Sequence, residues 1–325
     1  MKSFFMQMTD TATVLEMRDV AQPVPGPLQL LVRMRAAALN RGEFVLGHGL
    51  HGTPGTWKAI GGEGAGEVVA LGEGAAGFKV GDRVMGRCAG AFSEFALMEV
   101  AEAMAAPQAL SWEEAASVPM TFLVAFDMLV LQGRLKPGEW LLVNGISSGV
   151  GVASLQLAKQ LGAKVIGTSG SAEKLALLQT MGLDLPLHTR AADFAGRVME
   201  ATGGHGADLV VNAVGGTVFA ENIRAMAFEG RLATVGYVDG VVKAEIDLEA
   251  LHARRLSVFG VSNKLRSKAQ RAAAVPAFVA DVLPYFADGR IRPHIDEVVD
   301  FSQLQQAKDR MEAGGHAGKI VLRMP

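Results

Sequence analysis

A single cysteine, Cys88, stands among 325 residues. That scarcity excludes a disulfide framework and a four-cysteine structural zinc site, and it fits a reducing cytoplasm. Tyrosine is almost as scarce, with two in all. Tyr237 and Tyr285 are followed four residues later by Val241 and Gly289, so the Tyr-x-x-x-Lys pair of a short-chain dehydrogenase is missing. No basic run occurs and the formal net charge is −2, which leaves nothing to draw the chain to nucleic acid or to an acidic membrane surface. The longest apolar stretch, Val118 to Leu131, is interrupted by Asp127 and falls short of a membrane span. The opening MKSFFMQMTD is too short and too polar for a secretory signal. These absences predict a soluble, cytoplasmic protein whose partner is a small neutral or anionic molecule, with neither nucleic acid nor membrane involved.

What the chain does have is apolar content, half of its residues, and 39 glycines gathered in turns. The length suits two domains. Its organising stretch is KPGEWLLVNGISSGVGVASLQLAKQLGAKVIGTSGSAEK, ending at Lys174. Trp140 to Val143 have the length of a buried strand, and Gly145, Gly149 and Gly151 follow at once. Val150, Ala153, Leu157, Ala158 and Leu161 then recur at helical spacing until Gly162, and Lys164 to Gly167 restart an extended run. This is a βαβ unit with glycines in its first turn. Small residues there let backbone N–H groups at a helix N-terminus approach a pyrophosphate. The stretch does not spell G-x-G-x-x-G, because Ile146 and Ser148 hold the first two glycine positions; the strand before and the helix after it supply the context the motif requires.

A dinucleotide site that prefers NAD carries Asp or Glu about 20 residues past the glycines. Here that place reads Gly167-Thr168-Ser169-Gly170-Ser171, and Lys174 lies one turn into the next helix. A small hydroxyl and a nearby ammonium suit a 2′-phosphate, so the expected cofactor is NADPH. The plainer alternative makes Ser171 a helix cap and Lys174 a solvated lysine.

From Met1 to about Val118 short alternating runs separated by Gly and Pro predict a mostly β domain, with strands at 28–36, 66–71, 82–86 and 93–98. Ser111 and Glu114 have capping-box spacing, and 120–132 reads as a helix apolar on most faces. After Lys174 the predicted order is helix 172–181, strand 185–187, helix 194–202, strand 209–212, helix 218–228, strand 232–235 and strand 256–261. This alternation implies a doubly wound parallel sheet. Helices over 269–287 and 302–311, the latter capped by Ser302 with Gln305, and a closing strand at 319–322 returned to the first domain complete the prediction.

In this order the pieces ALNRGEF at Ala38, GGEGAGEVVALGEG at Gly61, VGDRVMG at Val80, GAFSEFA at Gly90, LSWEEAASVPMTFLVAFDML at Leu110, the glycine turn, NAVGG at Asn212 and GKIVL at Gly318 resemble the zinc-free, quinone oxidoreductase-like (zeta-crystallin-like) branch of the medium-chain dehydrogenase/reductase superfamily. The resemblance covers nearly the whole chain. It implies an α/β Rossmann domain over 119–262 and a mostly β, GroES-like catalytic domain over 1–118 and 263–325. Zinc-dependent members have Cys where this chain has Asn40 and His-Glu where it has Gly62-Glu63, so no zinc is expected. The implied activity is hydride transfer from NADPH to a quinone or an α,β-unsaturated carbonyl, whose oxygen the protein polarises by hydrogen bonding. The alternatives are an NADPH-binding regulatory or crystallin-like protein without turnover, and an alcohol or carbonyl dehydrogenase.

The resemblance also places residues. It puts Asn40 at the nicotinamide end, Thr121 at the carboxamide, Ser147, Ser148, Gly149 and Val150 on the pyrophosphate, and Ser169 and Lys174 on the 2′-phosphate. Val214, Gly236, Tyr237, Ser262 and Asn263 fall along the cofactor. His51 takes the place of a tyrosine usual after the Asn and becomes, with Asn40, a catalytic candidate: an imidazole suited to donating a proton or hydrogen bond near neutral pH. His188 stands where Asn-Tyr is usual at the adenosine end. Without zinc, Glu63 is expected to be structural. A homodimer through the strand near 256–261 is expected, because an apolar edge strand is costly to leave exposed.

Overall fold

Described over residues 1–8, 13–44 and 55–325 by a computed structural model, the chain divides into two units, Met1–Leu123 with Asn263–Pro325, and Val124–Ser262. Strands β1 (Lys2–Met8), β2 (Thr13–Asp19), β3 (Gln29–Ala38), β4 (Trp57–Ala59), β5 (Glu63–Leu71), β6 (Arg83–Ala89) and β7 (Phe95–Ala105) build the first unit. β3 is antiparallel to both β5 and β7, and β5–β6–β7 are paired in sequence, so these four strands close on themselves. β2-β1-β4 form a separate three-stranded sheet. None of β1, β2 and β4 is predicted above: β2 exposes Val14, Glu16 and Asp19 and half-buries its other residues, and β4 is only three residues long.

The capping box at Ser111 is formed: Glu114 N–H donates to Ser111 Oγ at 3.1 Å and Ser111 N–H to Glu114 Oε2 at 2.8 Å. It starts α1 (Trp112–Ala116), and α2 (Pro119–Phe126) follows, continued by a π-helical turn over Asp127–Gln132.

The second unit alternates β8 (Trp140–Asn144), α3 (Gly149–Gln160), β9 (Lys164–Ser169), α4 (Ala172–Thr180), β10 (Leu185–His188), α5 (Ala195–Ala201), β11 (Ala207–Asn212), α6 (Phe219–Ala225), β12 (Met226–Thr234), α7 (Leu248–Ala253) and β13 (Ser257–Gly260). All six strands are parallel, in the order β10-β9-β8-β11-β12-β13. This is the doubly wound Rossmann arrangement, whose direction of winding reverses between β8 and β11. Leu141, Leu142, Val143, Val165, Ile166, Leu209, Val210 and Val211 are buried, as a sheet covered on both faces requires. The helix expected over 218–228 is shorter than predicted; β12 already begins at Met226.

The chain then returns to the first unit. The helix expected over 269–287 is three pieces, α8 (Lys268–Ala272), α9 (Val275–Asp281) and α10 (Leu283–Ala287). Pro276 and Pro284 each sit in a first turn, where a missing N–H and the ring end the preceding helix. β14 (Ile295–Asp300), α11 (Leu304–Glu312) and β15 (Lys319–Arg323) follow. The capping box before α11 is Asp300 with Gln303, correcting the expected Ser302 with Gln305. β15 is antiparallel to β3 and parallel to β14, completing the sheet β14-β15-β3-β5-β6-β7. Among the described residues no helix is long and apolar enough to cross a membrane.

Candidate active site

In the second unit the functional edge is the row of carboxyl strand ends. Asn144 lies opposite Thr168 and Asn212, Asn212 opposite Thr234, and Ser169 opposite His188, so the turns after β8 to β12 emerge side by side. The turn after β8 sits at the reversal of winding, where open α/β sheets bind ligands. Buried polar side chains hold it. Thr168 Oγ1 donates to Asn144 Oδ1 at 3.1 Å and accepts from Gly145 N–H at 3.3 Å. Asn144 Nδ2 donates to Asn222 Oδ1 at 2.5 Å. Asn212 Oδ1 accepts from Val214 and Gly215 N–H, and its amide donates to Gly215 O. Asn144, Thr168 and Asn222 are absent from the predicted site, since in sequence the first two read only as the end of a strand and Asn222 as one polar position within a helix.

Ser148 caps α3, accepting from Gly151 N–H at 3.1 Å. Gly149 and Val150 then offer N–H groups from the first turn, where a helix has no partner of its own for them. A Cβ at Gly151 would lie 2.5 Å from the Ile146 carbonyl oxygen, so the helix enters this close to the turn only on a glycine. Ser147 is half-buried in that turn. At the end of β9, Ser169 is buried and accepts from Ser171 N–H. Ser171 in turn caps α4 through Lys174 N–H. His188 is exposed, with Nε2 3.3 Å from Gly170 O. One residue was missed here: Arg190 lies against Gly170, in the space a Cβ would fill. It is exposed and makes no hydrogen bond or ion pair among the described residues. Val214 follows β11 beside Gly145, Gly236 and half-exposed Tyr237 follow β12, and Ser262 and Asn263 fall on either side of the division between the units.

In the first unit a buried polar cluster forms where β3, β5 and β15 meet. Lys319 Nζ donates to Glu63 Oε1, Asn40 Oδ1 and Leu39 O at 2.8, 2.8 and 2.9 Å. Asn40 Nδ2 donates to Glu63 Oε1 at 2.9 Å, and Glu63 Oε2 accepts from Met120 N–H at 2.7 Å. Glu63 is fully enclosed and Lys319 nearly so. The structural role expected of Glu63 is thus visible, and Lys319 is the partner that sequence reading missed.

Among the described residues the carboxyl of Glu43, on the turn after Asn40, accepts only two hydrogen bonds, both long at 3.4 Å and both from Asn40. Burial and the Glu63 carboxylate push its carboxyl up to about 7, against the pull of Lys319 and the Asn40 donors. It lines a cavity of about 550 Å³ together with Gly62, Met120, Arg87 and Cys88. The Cys88 thiol is pushed up by burial and by nearby carboxylates, which keeps it protonated and unreactive. Thr121 is buried and gives its hydroxyl to the carbonyl of Ser117, the C-cap of α1, at 2.8 Å. His51 lies outside the described residues.

Comparison with known proteins agrees with both halves. Residues 26–124 match the family described as alcohol dehydrogenase GroES-like domain, and residues 149–277 the family described as zinc-binding dehydrogenase. The synaptic vesicle membrane protein VAT-1 homolog of Homo sapiens is 30% identical over 323 residues, 95% of this chain and 82% of that protein. A phenolphthiocerol/phthiocerol polyketide synthase of Mycobacterium tuberculosis is 33% identical over 96% of this chain, which spans only 14% of that protein. Among solved structures, mycobacterial Rv1454c complexed with NADPH has a TM-score of 0.90 at 29% identity, covering 99% of this chain and 100% of that one. A mycobacterial quinone oxidoreductase scores 0.87 at 29% identity over 99% of each chain.

Zinc is named in one of those family descriptions, and catalytic zinc takes thiolate, imidazole or carboxylate ligands. At the matching place this chain offers the Asn40 amide, no side chain at Gly62, and a Glu63 carboxylate already met by an ammonium 2.8 Å away. Among the described residues no three His, Cys, Asp or Glu side chains converge as a metal site would need. The described residues at that place do not supply the ligands that metal takes.

Proposed function

The chain belongs to the quinone oxidoreductase-like branch of the medium-chain dehydrogenase/reductase superfamily, and on that footing we propose that it is a zinc-independent, NADPH-dependent reductase of quinones or α,β-unsaturated carbonyls. The observation that carries the reading is the Ser148-capped N-terminus of α3 at the reversal point of the parallel sheet, with Ser169 at the end of β9, Lys174 in the first turn of α4 and Arg190 just beyond β10, and no acid among them. Ser147 to Val150 would hold the pyrophosphate and the other three the 2′-phosphate, which is the preference for NADPH over NADH. When bound, the reduced nicotinamide supplies a hydride. Asn40, held by Glu63 and Lys319, would orient the acceptor in the first unit, and Thr121, Val214, Gly236, Tyr237, Ser262 and Asn263 would line the cofactor.

Purified protein titrated with NADPH and NADH, then mixed rapidly with 9,10-phenanthrenequinone or a simple enone, tests this. Tight NADPH binding with fast oxidation is expected. Tight binding without oxidation across a broad panel would replace the reductase with a nucleotide-binding regulator, and a response of turnover to added zinc or chelator would restore a metal-dependent alcohol dehydrogenase. We also propose a homodimer through β13, which ends the sheet and leaves Val258 41% exposed. A monomer by light scattering at micromolar concentration would contradict it.

A further inference from the structure

We propose that Glu43 is the acid that delivers a proton to the reduced substrate in the cavity of the first unit; the inference rests on the enone-reductase reading above. Among the described residues three carboxylates line that cavity, Glu43, Glu99 and Glu102. Two are committed elsewhere. Glu99 is paired with Lys268 at 2.6 Å, and Glu102 is shared by Arg271 at 3.1 Å and Arg87 at 3.4 Å. Glu43 has no ion pair among the described residues, because Lys319 is turned onto Glu63 and Arg87 onto Glu102.

Its position is also kept open. A Cβ at Gly62 would lie 2.6 Å from Glu43 Oε1 and 3.0 Å from Met120 Sδ, so any side chain at position 62 would press on the carboxyl where Gly62 and Glu43 together face the cavity. Among the described residues the charged and titratable groups around it are Glu63 from β5, Lys319 from β15, and Arg87 and Cys88 from β6, while α2 contributes Met120. With Glu63 raising and Lys319 lowering its affinity for hydrogen ions, burial leaves Glu43 protonated up to about pH 7, where a proton donor is most effective near neutrality.

The balanced reaction is short. Hydride from NADPH forms the C–H bond at the β-carbon while the C=C electron pair moves toward the carbonyl oxygen, giving an enolate and NADP⁺. The enolate α-carbon then takes the proton from the Glu43 O–H, whose electron pair stays on the carboxylate, and one proton from bulk solvent, the H⁺ that the net reaction consumes, restores the Glu43 acid. Because the acid is fixed in one wall of the cavity, the proton arrives on one face of the α-carbon.

Wild type, Glu43→Gln and Glu43→Asp proteins would be compared with NADPH and 2-methylcyclohex-2-enone, whose α-carbon becomes a stereocentre on reduction. Carbon NMR of protein labelled at the glutamate carboxyls reads the ionisation without turnover. A carboxyl titrating near pH 7 is expected in wild type and absent from Glu43→Gln. Wild-type kcat should fall above pH 7. Glu43→Gln should lose about 100-fold in kcat, together with that pH limb and the enantiomeric excess of the product, and Glu43→Asp should retain both features. A near-neutral carboxyl persisting in Glu43→Gln, or an unchanged limb and enantiomeric excess in that variant, would overturn the proposal alone. No oxidation of NADPH by wild type with any enone or quinone would overturn the reductase reading and the donor role with it.

Discussion

Lys319 Nζ lies 2.8 Å from Glu63 Oε1 with both side chains enclosed, so the last strand of the chain neutralises a carboxylate on a strand near its beginning. Removing one partner of such a pair leaves a buried charge without compensation. Lys319→Met is expected to lower the unfolding free energy by about 3–5 kcal/mol, while the double variant Lys319→Met, Glu63→Gln recovers part of it. Urea denaturation of the three proteins measures this, and equal losses in single and double variants would mean that the charge pair is not what the cluster depends on.

Arg190 reaches back over Gly170 from beyond β10, beside Ser169 and the first turn of α4. If it holds a 2′-phosphate, Arg190→Ala should weaken NADPH binding by about 10-fold, the value of one charge-assisted hydrogen bond, and leave NADH binding unchanged. Fluorescence titration with both nucleotides decides the matter. A parallel loss for both would assign the side chain to folding or to the adenosine ring.

Gly151→Ala places a methyl 2.5 Å from the Ile146 carbonyl oxygen, a backbone atom that cannot swing aside. The helix must then back away from the turn. A loss of about 1–3 kcal/mol in stability is expected, with weaker binding of NADPH and NADH alike because the N–H groups of Gly149 and Val150 move together. Unaltered binding would show that the pyrophosphate sits elsewhere.

The nucleotide unit was legible because its information is local: β8, α3 and β9 each carry their own period, and the glycines fall between them. What escaped was set by distant partners. β1 and β2 become strands by pairing with each other and with β4, and nothing in their own residues announces that pairing. Lys319 looks in sequence like the polar start of an apolar strand, and only the antiparallel register of β15 on β3 carries it to Asn40 and Glu63. Arg190 is invisible for a similar reason, since its neighbour Gly170 lies at the end of an adjacent strand. The break of 269–287 into three helices was legible in principle from Pro276 and Pro284, which outweigh a continuous apolar period. Glu43 was passed over because its environment, not its type or spacing, makes it unusual.

Glu43 also ties stability to pH. In the unfolded chain its carboxyl ionises near 4.5, in the folded protein at about 7, so the folded state binds the extra proton between those values. The contribution of this group is therefore complete below pH 4.5 and is lost as the pH rises through 7. Glu43→Gln carries no such proton, and its unfolding free energy relative to wild type should be higher at pH 8 than at pH 4.5. The expected change is about 1–3 kcal/mol, less than the full shift would give because the carboxyl is reached from the cavity. Urea unfolding of both proteins at the two pH values measures it. A difference that stays constant would mean that Glu43 ionises in the folded protein as it does in the unfolded chain, and that the wall of the cavity holds a carboxylate at neutral pH.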